Sequence, residues 1–198
     1  ATVLVACIFL RDDIKAIALG WLAGVRESLG SPDKKKALFG SKERLWGWLI
    51  ILASAPTAAI GLAIEKFMAG DDFTSLAIVC AGFIATGIFL AATVFAKPRG
   101  VPIGATGALA IGIAQGASVL SSLSRSGLTV GTGIFMGASL EDAAKFSFLA
   151  LIPATLGATL LKAGEIGALA SADIAAMAAG AVVAALVGYA CLGAMMRA

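Results

Sequence analysis

The chain has 198 residues, 60% of them hydrophobic and only 14% charged, with a mean hydropathy of +0.98. Soluble domains carry about a quarter charged residues, so this composition excludes a soluble protein and specifies a polytopic membrane protein folded as one domain, 1–198. The formal net charge of +3 is small and gathered in one loop, which leaves nucleic acid without support as a partner. Histidine is absent, which excludes a Ser–His couple, an imidazole base or a histidine metal site built from this chain alone.

Residues 1–10 (ATVLVACIFL) are apolar but too few to cross a bilayer, which takes about 20 helical residues. They read as the last half of a spanning helix, and because Ala1 lies inside an apolar run, further sequence is expected before it. Residues 12–28 place Ile14, Ile17, Ala18, Trp21, Leu22 and Val25 on one helical face, with Asp13, Lys15 and Arg26 elsewhere. This predicts an amphipathic helix, either lying along the membrane surface with Trp21 at headgroup depth or packed on the bundle. Gly30-Ser31-Pro32-Asp33 ends it, and Lys34-Lys35-Lys36 reads as a topology signal on a solvated loop.

Residues 45–64 form a full span, with Trp46 and Trp48 as expected interfacial anchors and Pro56 as a kink. Residues 73–96 form another, closed by Lys97-Pro98-Arg99-Gly100. The loop 11–44 holds eight basic residues, and Lys97 and Arg99 return to the same side, which the positive-inside rule places in the cytoplasm. Residues 143–161 span, kinked at Pro153, after a start capped by Ser139 or Asp142. Ser171 or Asp173 opens the last helix, 174–196. Cys7, Cys80 and Cys191 show no metal or disulfide spacing and read as small buried residues.

Between Arg99 and Glu141 one formally charged residue stands, Arg125. A guanidinium inside a membrane-compatible segment costs about 2.5–3.5 kcal/mol on insertion scales, so it is read as functional by default. It sits in Ser121-Ser122-Leu123-Ser124-Arg125-Ser126-Gly127-Leu128-Thr129, a hydroxyl-rich break between the apolar pieces 102–120 and 129–138. Two readings compete: each piece spans, or the two form a re-entrant hairpin, 102–138, with its tip at membrane depth. The second piece is short, about 15 Å at 1.5 Å per residue, and the glycine-interrupted pieces favour the hairpin. Gly112/Gly116, Gly127/Gly131 and Gly133/Gly137 recur four residues apart, which lets neighbouring backbones approach. Hydroxyls, one arginine and a helix N-terminus together suit a phosphate. None of the twelve acidic residues falls in the hairpin, and Glu65, Glu141 and Glu165 read as interface residues. Gln115 either lines the site or bonds a neighbouring helix.

Gly112-Ile113-Ala114-Gln115, Ser124-Arg125-Ser126-Gly127-Leu128-Thr129, Gly137, Ala144-Lys145-Phe146-Ser147-Phe148-Leu149 and Ile152-Pro153 together resemble the undecaprenyl-diphosphate phosphatase family, also called the bacitracin-resistance protein family. Phe9–Asp13 and Ala55-Pro56 extend that resemblance upstream. It implies an all-α polytopic membrane bundle with a re-entrant helical hairpin and inverted-repeat architecture. It also implies an enzyme in the cell (plasma or inner) membrane that cleaves a polyprenyl diphosphate lipid to the monophosphate and inorganic phosphate, recycling the carrier of cell-wall glycan synthesis. On this resemblance Arg125, Ser124 and Thr129 would be catalytic, and Ser126, Gly127, Ser122 and Gln115 would bind substrate. The resemblance allows for a divalent cation, Mg2+ or Ca2+, without identifying ligands in this chain, and leaves room for a homo-oligomer. Ser121-Ser122 stand where the family has Pro-Gly. The family's first signature, with paired glutamates and a Ser/His stretch, is absent and would lie before Ala1. The competing classes are a transporter or flippase of an anionic lipid headgroup and a catalytically impaired homologue.

Overall fold

The computed structural model describes residues 2–30, 33–67, 75–97, 99–120, 123–161 and 171–195. Among them the regular structure is entirely helical: α1 (Thr2–Phe9), α2 (Arg11–Ser28), α3 (Lys34–Phe39), α4 (Lys42–Phe67), α5 (Leu76–Ala92), α6 (Ala105–Ala117), α7 (Arg125–Phe135), α8 (Leu140–Leu161) and α9 (Ser171–Met195). Helix is the form that satisfies every backbone polar group within its own segment, as hydrocarbon requires. Among the described residues three stretches are long and apolar enough to cross a membrane: Lys42–Ile64, Leu76–Phe95 (which takes in a 3-10 turn) and Leu140–Leu161. The chain is a polytopic membrane helix bundle.

Packing fixes the direction of each helix. The Lys42 ammonium meets the Asp142 carboxylate at 2.8 Å, so α4 and α8 begin at one end of the bundle. Four residues on, Trp46 packs edge-to-face on Phe146 with centroids 5.5 Å apart, and Lys42 covers the indole at 4.9 Å. Trp46 is only 5% exposed, which corrects its reading as an interfacial anchor: Phe146 and Lys42 enclose the ring in the core. Trp48 instead meets Trp21 of α2 at 5.4 Å. That contact, and the lack of room for a side chain at Gly47 beside Trp21, show that α2 packs on the bundle. Ser139 caps α8, its Oγ accepting from the Asp142 amide at 3.1 Å.

The hairpin is α6 and α7. At about 1.5 Å per residue they measure roughly 20 and 16 Å, and neither crosses a core of about 30 Å. Their outer ends are tied together: the amides of Arg99 and Val101 both donate to the Gly137 carbonyl, at 3.1 and 3.0 Å. Gly137 holds φ +91°, a left-handed conformation suited to glycine, and it ends α7. Entry and exit therefore lie on one side, beside the starts of α4 and α8.

The glycine spacing does what close approach requires. A Cβ at Gly112 would overlap the Ala53 carbonyl of α4, and one at Gly116 would sit 2.8 Å from Ile60 Cβ. Thr57 Oγ1 crosses this seam to the Gly112 carbonyl at 2.9 Å. On α7, Gly127 and Gly131 face α5, where a Cβ would meet Thr86 Cγ2 at 3.1 Å and Phe89 Cε1 at 2.5 Å. Gly133 faces α8, where a Cβ would lie 2.7 Å from Ala143 Cβ.

Three expectations are corrected. The lysine run is no loop: Lys34–Phe39 forms α3, and Arg44 Nη1 donates to its Ala37 carbonyl at 2.7 Å. The second hairpin helix begins at Arg125 instead of residue 129, because Ser124 can cap it there. Cys80 and Cys191 are exposed on the outside of the bundle, where an apolar thiol suits lipid, so the buried reading fails for both. The expectations for Ser122, Glu165 and Arg197, and for the side chains of Glu65, Ser171 and Asp173, fall outside the described residues.

Candidate functional site

The hairpin tip is built from the first turn of α7. Ser124 has extended backbone (φ −73°, ψ 109°), and its Oγ accepts from the Gly127 amide at 3.3 Å. This is an N-cap, and it leaves the amides of the first two helical residues, Arg125 and Ser126, free of intrahelical partners. α5 holds the cap from behind: Thr86 Oγ1 donates to the Gly82 carbonyl at 2.9 Å and accepts from the Ser124 amide at 3.3 Å.

Arg125 lies at the far end of α7 from its base, about 15 Å away at 1.5 Å per residue, and so near mid-depth. Its Nη1 donates to Thr155 Oγ1 of α8 at 3.3 Å, and the residue is half-buried. Among the described residues no carboxylate pairs with it: the ion pairs join Arg11 to Asp12, Lys42 to Asp142, Arg44 to Glu27 and Lys145 to Glu141. A guanidinium carries five N–H donors, so a neutral hydroxyl leaves most of its capacity open.

The remaining sequence-predicted residues divide. Ser126 is exposed beside Arg125 at the helix start. Gly127 is buried against Thr86 and Leu90, so it brings α5 close to the tip. Thr129 is completely buried: its Oγ1 donates to the Arg125 carbonyl at 2.8 Å and shares a 2.5 Å hydrogen bond with Ser147 Oγ of α8. Gln115 is 1% exposed, and its Nε2 donates to the Ala150 carbonyl at 3.2 Å, a bond between α6 and α8. Ser122 lies outside the described residues. The structure thus gathers Ser124, Arg125 and Ser126 at the tip, and turns Thr129 and Gln115 toward α8.

The sequence profile of the family described as "Bacitracin resistance protein BacA" matches residues 1–198. The chain belongs to the BacA family. Among relatives of this BacA chain, one named undecaprenyl-diphosphatase from Desulfosudis oleivorans is 35% identical over 99% of this chain and 72% of its own length. A second of that name, from Geobacter sulfurreducens, is 30% identical over 99% of this chain and 71% of its own. A third, from Desulforapulum autotrophicum, is 37% identical over 81% of this chain, a match that spans 59% of the relative.

In this BacA chain three further hydroxyls, given no role in the sequence reading, support the tip: Thr86, Ser147 and Thr155. Sequence reasoning missed them because a threonine or serine in an apolar span ordinarily bonds its own helix, and nothing in the spacing says otherwise. Among the described residues no three of Cys, Asp and Glu stand together as a metal site. Glu141 and Asp142 lie at the hairpin's base, paired with lysines. The described residues offer no ligand set for a divalent cation, and the chemistry below uses none.

Proposed function

We propose that this chain acts as, or within, an integral membrane phosphatase that hydrolyses a polyprenyl diphosphate, of the undecaprenyl type named for its relatives, to the lipid monophosphate and inorganic phosphate. The single observation that carries this reading is Arg125: a cation at mid-depth, at a helix N-terminus, paired with no carboxylate among the described residues. A lone charge there is costly unless a ligand compensates it, and an anion is the ligand that does so. The BacA relationship and the relatives' names supply the lipid.

Breaking a phosphoanhydride asks the protein chiefly to position the group and stabilise developing charge. Arg125 grips diphosphate oxygens with its planar fork, and the free amides of Arg125 and Ser126 and the Ser126 hydroxyl donate to the same anion. Ser124 and Thr129 act one step back. The first caps the helix that aims those amides, and the second locks that turn to α8 through Ser147. The hairpin's base shares its end of the bundle with Lys42, Arg44, Arg99 and Lys145, and the positive-inside rule sets that end in the cytoplasm of a cell-membrane protein.

The test is phosphate release from a long-chain polyprenyl diphosphate by the protein in detergent, compared with Arg125→Ala. Release that the substitution abolishes supports the reading. Diphosphate-dependent movement of lipid across vesicles without phosphate release would replace it with a carrier.

A further inference from the structure

We infer that Thr155, on α8, is a positioning residue for Arg125 and the outer wall of the same anion cradle. This rests on the diphosphate reading of Arg125 given above. Thr155 is 30 residues away in sequence, yet its Oγ1 accepts the described hydrogen bond from the guanidinium, at 3.3 Å. A long arginine side chain has several rotamers, and one anchored Nη1 restricts them while leaving the other guanidinium donors for a ligand.

The hydroxyl also has a proton of its own to give. Once Oγ1 accepts from Arg125, its O–H needs an acceptor, and among the described residues none is bonded to it. Thr155 is half-buried, and Pro153 two residues earlier removes one helix hydrogen bond donor from α8 at this level. A phosphate oxygen seated on the guanidinium fork would lie within reach of the Thr155 O–H as well. α8 thus contributes Thr155 to a site whose hydroxyls and arginine otherwise come from the Ser124–Ser126 turn that opens α7, and Thr155 couples the orientation of that turn to α8.

The test is equilibrium binding of radiolabelled farnesyl diphosphate to the purified protein in detergent, with Thr155→Val, Thr155→Ala, Thr155→Ser and Arg125→Ala. Val and Ala both remove the hydroxyl, and two replacements of different size separate a folding defect from a lost contact. The expected result is an affinity about tenfold lower for Val and Ala, the scale of a hydrogen bond to a charged group. Ser should recover wild-type affinity to within about threefold, because it restores the hydroxyl without the methyl group. Wild-type affinity in Val and Ala, with binding lost in Arg125→Ala, overturns the role of Thr155 and leaves the site intact. Failure of Ser to rescue overturns it too, because the defect then follows side-chain shape. Wild-type affinity in Arg125→Ala removes the anion site itself and Thr155 with it.

Discussion

The Val101 amide donates to the Gly137 carbonyl at 3.0 Å, joining the residue that enters the hairpin to the residue that leaves it. The thirty-five residues between them, carrying two short helices, thus go into the bundle and come back on one side. This contact excludes a single crossing of the segment, and the lengths of α6 and α7, roughly 20 and 16 Å, keep either helix from crossing alone. With all three native cysteines replaced, cysteines at the exposed Val101 and Leu140 should react with a membrane-impermeant thiol reagent from the same face as one at Ser41. Labelling of Val101→Cys and Leu140→Cys from opposite faces would mean that the segment crosses the membrane and does not return.

The close seam between α4 and α6 makes a graded stability prediction. Gly112→Ala places a methyl group on the Ala53 carbonyl, a backbone atom that cannot step aside, whereas Gly87 has nothing within 4 Å. Overpacking of this kind costs about 1–3 kcal/mol. Thermal unfolding in detergent should show Gly112→Ala clearly destabilised and Gly87→Ala unchanged or slightly stabilised, since alanine is the better helix former. Equal midpoints for the two would place α6 further from α4.

Thr129 offers a way to separate structure from chemistry. Its hydroxyl meets Ser147 in a fully buried site, so Thr129→Val leaves Ser147 without that partner and should cost about 1–3 kcal/mol. Thr129→Ser keeps the hydroxyl and should stay much nearer the wild type in unfolding midpoint. An undiminished midpoint in Thr129→Val, with activity lost, would move Thr129 from holding the turn to touching the substrate.

The ion pair between Lys42 and Asp142 is expected to matter little, although it ties α4 to α8. The lysine side chain is 60% exposed, and pairs of this kind contribute about 0–1 kcal/mol. Asp142→Asn should shift the unfolding midpoint only slightly and leave phosphate release unchanged. A large loss of release would give Asp142 a role in the chemistry.

The spans, the hairpin and its glycine pairs were legible because each rests on a local rule of length, hydropathy or spacing. The start of α7 was not, because the apolar pattern resumes at Leu128-Thr129 while the cap that begins the helix is Ser124, four residues earlier. The short α3 was hidden because Lys34-Lys35-Lys36 looks solvated, and it is the following Ala37 that packs, under Arg44. At the site, Arg125 announced itself by charge alone. Its neighbours Thr86, Ser147 and Thr155 did not, since their roles arise only when α5 and α8 are brought against α7. Gln115 carried both readings in sequence, and packing directs its Nε2 to the Ala150 carbonyl.

The most direct measurement is kcat/KM for phosphate release from a polyprenyl diphosphate by Arg125→Lys against the wild type. Lysine keeps the positive charge at mid-depth but lacks the planar fork that engages two phosphate oxygens at once. The expected result is a fall of about a hundredfold or more, with the unfolding midpoint nearly unchanged, the scale of losing one transition-state donor. Activity within a few-fold of wild type would contradict the claim that the guanidinium of Arg125 grips the diphosphate.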